Sequence, residues 1–365
     1  MEGTLSEFRE RIHAAARFIK TGTGTDAQSR SGLCIRGNGS KDWYGQAVQG
    51  EPLDCRPYAG IIDYEPTELV ITARCGTPLA EIEAALAQQR QMLAFEPPHF
   101  GPQATLGGMI ATGLSGPRRQ AVGAVRDFVL GCVLMNGEGK VLHFGGQVMK
   151  NVAGYDVSRL LAGSLGTLGL LLEVSLKVLP QPSVEITLRL AMQQRAAIEQ
   201  LNRWGGMPLP ISGSLWHDDG LMVRLSGADA AVQAARKVIG GELIDGRDLW
   251  IGVREQSLPF FTDREQTAPL WRLSVPSATA ELDLPGSVLI EWGGAQRWLR
   301  TAASASTVRS IAESVGGHAT LFRGGDKNDG VFHPLQPVVA GIHQRLKRKF
   351  DPDGVFNPGR MYSEF

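Results

Sequence analysis

The stretch "RGNGSK", residues 36–41, follows directly on the apolar run Leu33-Cys34-Ile35. Its reading decides the fold, because glycines at the end of a strand can open a dinucleotide fingerprint, a phosphate nest or a plain turn. A Rossmann fingerprint needs GxGxxG leading into a helix. Here Gly37-Asn38-Gly39-Ser40-Lys41-Asp42 lacks the third glycine and runs into "WYGQAV", which has no amphipathic helical pattern. No GxxxxGK[ST] occurs either. A strand-to-loop nest and an ordinary turn remain, and the hexapeptide alone leaves both open. In the nest, glycines turn consecutive backbone N–H groups toward an anion, while Asn38, Ser40 and Lys41 add donors and charge.

Two longer glycine-rich segments lie downstream. "EPPHFGPQATLGGMIATGLSGPRR", residues 96–119, is punctuated by prolines that fix its path. In it Gly107, Gly108, Thr112, Gly113, Ser115 and Gly116 would let backbone lie against a flat ring and a diphosphate. "GGQVMKNVAGYDVSRLLAGSLGTLG", residues 145–169, runs from a turn through a short helix into a strand. Lys150 and Asn151 supply polar groups there, Gly154 and Gly163 relax the backbone at either end of the helix, and Leu160 and Leu161 read as core. Three such segments converging on one extended ligand is a sharper proposal than any one of them.

The 365 residues are enough for two domains. Lys plus Arg and Asp plus Glu both number 37, so the whole-chain field carries no footprint for nucleic acid. Glycine is the compositional outlier, 45 residues against a typical share of about 7%. The four cysteines, Cys34, Cys55, Cys75 and Cys132, have no CxxC spacing, which suits a reducing cytoplasm and argues against a zinc or iron–sulfur site. The N-terminus reads as no signal peptide, and the longest uncharged stretch, Leu160 to Leu172, is too short to span a bilayer.

Periodicity organises the rest. Leu5, Phe8, Ile12, Ala15 and Ile19 form the stripe of an opening helix. Strands are expected at Leu33 to Arg36, Gly60 to Tyr64, Leu69 to Ala73, Phe128 to Met135, Val141 to Phe144 and Leu170 to Val178, the last with one polar face. A helix follows Thr77 as N-cap, with Pro78 at its first position. "LPQPS" at 179–183 is a natural boundary. Beyond it come a strand at Val184 to Leu190, a helix at Gln193 to Trp204, a hairpin at Leu215 to Leu225 turning at Asp219-Gly220, and a helix at Ala228 to Ile239. That β-α-β-β-α order suggests a ferredoxin-like split unit as a second domain. The expected division is therefore 1–181, 182–330 and a C-terminal segment, 331–365, whose helix at Val338 to Phe350 leads into "DPDGVFNPGRMY".

The order "RGNGSK", "TLGGMIATGLSGPRR…VRDFVLG", "GGQVMKNVAGYDVSRLLAGSLGTLG" and "DPDGVFNPGRMY" resembles the FAD-binding proteins of the vanillyl-alcohol oxidase and PCMH type. More narrowly, "YEPTELVITARCGTPLAEIEAALA", "EPPHFG", "VMKNVAGYD", "LPISG" and "GGHAT" are similar to the E-subunit branch of bacterial glycolate oxidases. The resemblance implies an α+β fold: a PCMH-type FAD-binding domain of two α+β subdomains, plus a cap over the reactive face of the flavin. It implies that Arg36, Gly37, Asn38, Gly39, Ser40 and Lys41 form the pyrophosphate loop. Gly107, Gly108, Thr112, Gly113, Ser115 and Gly116 would line flavin and diphosphate, with Lys150, Asn151, Gly154 and Tyr155 as further FAD contacts. Some relatives attach flavin covalently through a histidine in the first loop. This loop has none, so noncovalent FAD is expected.

The resemblance also implies oxidation of glycolate, and of related short 2-hydroxy acids such as D-lactate, with the flavin taking the α-hydride. Such chemistry needs a cation for the carboxylate, and Arg118, Arg119, Arg272 and Arg323 are conceivable ones. The related catalytic D subunits carry HxGDGNxH. In "GGHATLFRGGDKNDGVFHP" Arg323 stands where the first histidine should be and His333 comes too late, so no metal is assigned and His318 and His333 read as loop histidines. The preferred reading is an accessory flavoprotein that docks on a catalytic D subunit and an iron–sulfur F subunit and passes electrons toward a membrane quinone. It would be cytoplasmic, at most peripheral on the membrane through its partners. A self-sufficient hydroxy-acid or sugar-lactone oxidase and a structural subunit without redox activity are the other readings the sequence leaves open.

Overall fold

The structure is a computed structural model that describes residues 2–21, 32–146, 156–262 and 267–364. Helix α1 (Glu2–Thr21) buries Phe8, Ile12 and Ala16, spaced four apart, so its stripe faces a core while Ile19 is left partly in solvent. Strands β1 (Leu33–Arg36) and β2 (Glu51–Asp54) pair in parallel, Cys34 opposite Pro52. Strands β3 (Ile61–Glu65) and β4 (Val70–Arg74) open a second sheet and lead to α2 (Leu79–Gln88). Pro78, not Thr77, is the N-cap of α2. The Thr77 hydroxyl accepts instead from the amide of Gly60 at 2.9 Å, so it ties the β3 entry to the helix.

The short β5 (Gln91–Met92) is followed by three small helices, α3 (Leu106–Thr112), α4 (Arg119–Val122) and α5 (Val125–Phe128). Then come β6 (Val129–Met135), β7 (Val141–Gly145), α6 (Val157–Leu160), β8 (Leu170–Lys177) and β9 (Leu179–Pro180). The five-stranded antiparallel sheet has the order β3-β4-β8-β6-β7. Strand β8 lies at its centre, and its expected polar face is not polar in effect. Both faces are covered, and Ser175 is buried with its hydroxyl 2.8 Å from that of Thr72 on the neighbouring strand. One face packs on Ile82, Leu86, Ile110 and Phe128, the other on Phe8, Ile12, Leu33 and Phe356.

From β10 (Val184–Ala191) the chain builds a different sheet. Its elements are α7 (Gln194–Gly205), β11 (Ile211–His217), β12 (Gly220–Gly227), α8 (Asp229–Ile239), β13 (Glu242–Ile244), α9 (Arg247–Glu255), α10 (Pro259–Thr262), β14 (Leu270–Ser274), β15 (Ser287–Glu291), β16 (Gln296–Arg300), α11 (Ala305–Glu313) and β17 (His318–Arg323). The β11–β12 hairpin turns at Asp218-Asp219, one residue earlier than expected, with φ of 52° and 56° as a type I′ turn requires. All eight strands join in one sheet of order β13-β10-β12-β11-β15-β16-β14-β17. The first half is a β-α-β-β-α-β unit with its fourth strand beside its first, and the second half abuts it through Leu215 opposite Glu291.

That second half has no simple alternation because it buries polar residues. Arg297 is wholly buried and donates to the carbonyls of Gly294, Thr279 and Ala280. Helix α12 (Pro337–Phe350) then brings the chain back to the first sheet, where Leu33 pairs with Phe356. No helix among the described residues is long and apolar enough to cross a membrane.

Candidate functional site

Strand β1 delivers the RGNGSK loop to a cavity of about 300 Å³, lined by Arg36 to Asp42 with Thr105, Gly108, Ala111, Thr112, Leu165, Asn357 and Arg360. Among the described residues nothing accepts a hydrogen bond from the backbone amides of residues 37–41. Five successive unpartnered donors at the wall of a cavity are what an anion nest requires. Gly39 has φ of 76°, a left-handed conformation, and a Cβ there would come within 2.5 Å of the Arg36 guanidinium. Gly37 admits no Cβ at all, because Thr105 already fills that space. Arg36 is held by Asp42 at 2.6 Å.

Lys41 is the charged element of the loop, only 7% exposed. Its ammonium donates to the carbonyl of His99 at 3.0 Å, and burial pulls its pKa down to about 8 despite the nearby Glu255 carboxylate. A diphosphate would restore the charge that burial disfavours. The C-terminal segment holds the loop in shape. Arg360 donates to the carbonyls of Gln46, Lys41 and Asp42, and Asn357 accepts from Ile35 N at 2.8 Å while donating to Leu165 O. Sequence reading overlooked Asn357, Arg360 and Thr105 as site residues. The run Asn357-Pro358-Gly359 was the available signal, and Asn357 indeed takes a left-handed φ of 42°.

Residues 106–112 form a helix, where the sequence suggested an extended glycine loop. Thr105 caps it by accepting from Gly108 N, and Leu106 N and Gly107 N donate to the carbonyls of Thr77 and Cys75. Its N-terminal amides are therefore spent, and the unpartnered amides at the cavity wall are those of the β1 loop. Gly107 is small because Cys75 packs against it, although it also lines a narrow crevice that shares Gly108, Ala111 and Leu165 with the main cavity. Gly108 and Thr112 face the main cavity. Gly113, the left-handed C-cap, lines neither and is pressed against the backbone of Gly163.

Ser115 and Gly116 lie apart from the cradle, in a small cavity against the eight-stranded sheet. The Ser115 hydroxyl accepts from Val125 N, and Gly116 packs on the Glu96 backbone. Lys150, Asn151, Gly154 and Tyr155 fall outside the described residues. Of the two leucines read as core, Leu161 is buried and Leu160 is exposed. The structure thus gathers Arg36 to Lys41, Gly108 and Thr112 in one cavity and sets Gly113, Ser115 and Gly116 away from it.

The four arginines have separate fates. Arg118 is neutralised, donating to Glu96 at 3.2 Å and to Glu185 at 2.6 Å, and Arg224 completes the cluster with Glu96 at 2.9 Å. This cluster joins the 96–118 segment to β10 and β12. Arg119 lies 4.3 Å from the centre of the Trp292 ring, and Arg323 lies 4.4 Å from that of Trp43. Arg272 alone of the four lines the small cavity with Ser115 and Gly116. His333 contacts Glu313 at 2.9 Å and Ala319 N, and among the described residues no three His, Cys, Asp or Glu side chains converge.

Residues 27–145 match the family model described as an FAD binding domain. Two crystal structures of alkyldihydroxyacetonephosphate synthase superpose with TM-scores of 0.63 and 0.62 at 13% and 14% identity, covering 95% and 96% of this chain and 73% and 75% of those chains. Fold, cradle and family model together define an FAD-dependent oxidoreductase with a PCMH-type FAD-binding domain. Among curated relatives, the glycolate oxidase subunit GlcE of Escherichia coli is 52% identical over 332 residues, 91% of this chain and 93% of that one. The chain belongs to the GlcE family of glycolate oxidase subunits. The D-lactate dehydrogenase of Archaeoglobus fulgidus, 37% identical, shares 30% of this chain and 25% of its own, and the GlcD subunit of Bacillus subtilis, 33% identical, shares 35% and 27%.

Proposed function

We propose that this chain is the FAD-binding subunit of a glycolate oxidase complex that oxidises glycolate, and related short 2-hydroxy acids, to the 2-oxo acid. The observation that carries the reading is the run of unpartnered amides at residues 37–41 beside the buried Lys41, in a chain of the GlcE family. The bound flavin supplies the two-electron acceptor. In this reading Gly37, Asn38, Gly39, Ser40 and Lys41 hold the diphosphate, Gly108 and Thr112 line the adjoining part of the cofactor, and Asn357 with Arg360 keeps the loop in its binding shape. Lys150, Asn151, Gly154 and Tyr155 remain proposed contacts on the same grounds of resemblance. The loop offers no histidine for a flavin bond, which supports noncovalent attachment. Residues 1–181 and 331–365 are proposed as the FAD domain and 182–330 as a cap, its first half ferredoxin-like. A GlcD-like flavoprotein and an iron–sulfur subunit are the proposed partners, with a quinone as final acceptor and the complex peripheral on the membrane's cytoplasmic face.

The test is flavin quantification on the native complex and on the separate subunit, with glycolate-dependent dye reduction measured on both. Acid-releasable FAD in the subunit, with dye reduction by the complex, is the expected result. A flavin-free subunit would overturn the cofactor assignment. Anaerobic bleaching of the isolated subunit's flavin by glycolate would replace the accessory reading with a self-sufficient enzyme. Gly39→Leu should lower FAD content at least about tenfold, since a side chain would stand where the ligand approaches. Undiminished FAD would remove RGNGSK from the diphosphate site.

A further inference from the structure

Helix α12 buries one face and leaves the other to solvent. Leu346 and Phe350 pack on the core of the first sheet, and the buried Lys347 ammonium donates to Asp351 at 2.7 Å and to the carbonyls of Thr167 and Phe356. The opposite stripe, Val338, Ile342, Arg345 and Lys349, follows the spacing of one helix face. Val338 is 76% exposed, Ile342 42% and the flanking Val339 39%. Among the described residues no other helix or strand exposes more than one large hydrophobic side chain. The helix contains no Asp or Glu, and among the described residues Arg345, Arg348 and Lys349 have no carboxylate in ion-pair reach. Gln344 and Arg348 also line a groove of about 480 Å³ together with Asp351, Pro352, Gly359 and Glu364.

We propose that this face of α12, with the groove beside it, is where a protein partner docks, and that the partner presents an apolar patch bordered by carboxylates. The proposal rests on the reading of the chain as one subunit of a complex, and it adds which surface takes a partner and with what chemistry. Covering Val338, Val339 and Ile342 removes apolar area from water, which favours association with any apolar surface. The charges then select among such surfaces: three cations without an anion of their own draw an acidic face and repel a basic one. A second copy meeting α12 through α12 would bring only further cations. The layout also tells a protein from a bilayer. A helix that lies on lipid sets its apolar groups on one face with Trp, Phe or Leu anchors and its cations on the other. On α12 both kinds share one stripe, apolar in its N-terminal half and basic in its C-terminal half, and no aromatic or leucine side chain of the helix is exposed. A flat apolar layer would take Arg345 and Lys349 in as deeply as Val338, whereas a protein surface can match the two halves separately. A stable interface takes about 800 Å² from each side, more than one helix stripe offers. The groove extends the face past Gln344 and Arg348 to the C-terminal residues.

The test is copurification of the whole complex through an N-terminal tag on this subunit, with the flavoprotein and iron–sulfur partners identified and quantified by mass. It is run on wild type, on Ile342→Asp, on Arg345→Glu combined with Lys349→Glu, and on Val238→Asp as a control, since Val238 is 55% exposed on α8. Ile342→Asp should weaken partner binding at least about tenfold, because an apolar anchor becomes a charge inside the contact. The double charge reversal should weaken it as well, most at low salt and less as salt rises. Val238→Asp should leave the partners at the wild-type level. None of these residues lines the cradle, so FAD content should be unchanged in every variant, which also shows that each one folds. Undiminished partners in Ile342→Asp, with FAD content and dye reduction intact, would overturn this proposal alone, as would an equal loss in Val238→Asp. Two measurements on the isolated subunit address the other occupants, and a positive result in either would overturn the proposal. One is sedimentation, where a concentration-dependent dimer abolished by Ile342→Asp would give the face to a second copy. The other is cosedimentation with vesicles of phosphatidylglycerol and phosphatidylethanolamine, where binding abolished by the charge reversal would give it to lipid. A wild-type subunit that brings down neither partner would instead defeat the functional reading beneath it.

Discussion

Lys41→Met separates the two things that the cradle lysine does. Lys41 is 7% exposed, and burial lowers the pKa of its ammonium from 10.5 to about 8. That difference is about 3 kcal/mol against the charged form. The sign follows from proton counting. Between pH 8 and 10.5 the unfolded chain holds a proton that the folded chain has lost, so stability rises with pH across that window. Below pH 8 the full cost is present. Replacing the ammonium with an apolar chain of similar length removes that cost, and it also removes the bond to His99 O, worth about 1 kcal/mol. The flavin-free variant should therefore be about 1–2 kcal/mol more stable than wild type at pH 7, with the difference shrinking toward pH 10. FAD should bind about 10- to 100-fold more weakly, because a charge-assisted contact to the diphosphate is lost. Urea unfolding of flavin-free protein at both pH values, together with flavin fluorescence titration, measures both quantities. A flavin-free variant less stable than wild type at pH 7, or one with unchanged FAD affinity, would refute the reasoning.

Glu291→Gln tests the buried carboxyl. Burial, helped by the Glu96 charge, holds Glu291 up at about 7 against the two donors Trp298 and Gln296, while the unfolded chain ionises at 4.5. The folded protein thus keeps a proton the unfolded one loses, and wild-type stability should fall by about 3 kcal/mol as pH rises from 4.5 to 7. The glutamine variant should lose that slope in urea midpoints taken from pH 4.5 to 8, and an unchanged slope would remove Glu291 as its source. Glu96→Gln leaves Arg118 and Arg224 buried with only Glu185 between them. It should destabilise the protein by about 3–5 kcal/mol and speed proteolysis at residues 181–183. A loss below about 1 kcal/mol would show that the cluster does not hold the 96–118 segment to the eight-stranded sheet.

What the sequence disclosed was local. The α1 stripe, the alternating strands and the glycine pair after Ile35 are each set by residues close in the chain, and each element stands near its expected place. Helix α3 escaped notice because Gly107 and Gly108 depress helix propensity. The cap by Thr105 and the closeness of Cys75 to Gly107 outweigh that penalty, and both are visible only in three dimensions. Arg118 looked like a candidate anion binder because its partners, Glu96 and Glu185, lie 22 and 67 residues away. Asn357 and Arg360 reach the cradle from more than 300 residues beyond it. The second half of the eight-stranded sheet was hidden for another reason: with Arg297 and Glu291 buried and hydrogen-bonded, its strands break the alternation that announces a strand.

The cradle and the small cavity beyond α3 are built differently. The cradle offers backbone amides and one lysine, so its shape lies in φ angles and in the absence of Cβ atoms, which glycine positions record directly in sequence. The far cavity is built from side chains at the α9 end and on β14, β15 and β16, which neighbour one another in the eight-stranded sheet. Seven residues of α3, about 10 Å of helix, and the left-handed turn at Gly113 lead from one to the other. Gly113 is fixed against Gly163, while Leu165 N bonds Ala111 O and Leu165 itself lines the cradle. The spacing between the β1 loop and the small cavity beyond α3 is therefore set by packed backbone, whereas the cavity's lining depends on side chains of the eight-stranded sheet. Substitutions of those sheet side chains that leave α3 in place should therefore not change how much FAD the subunit holds.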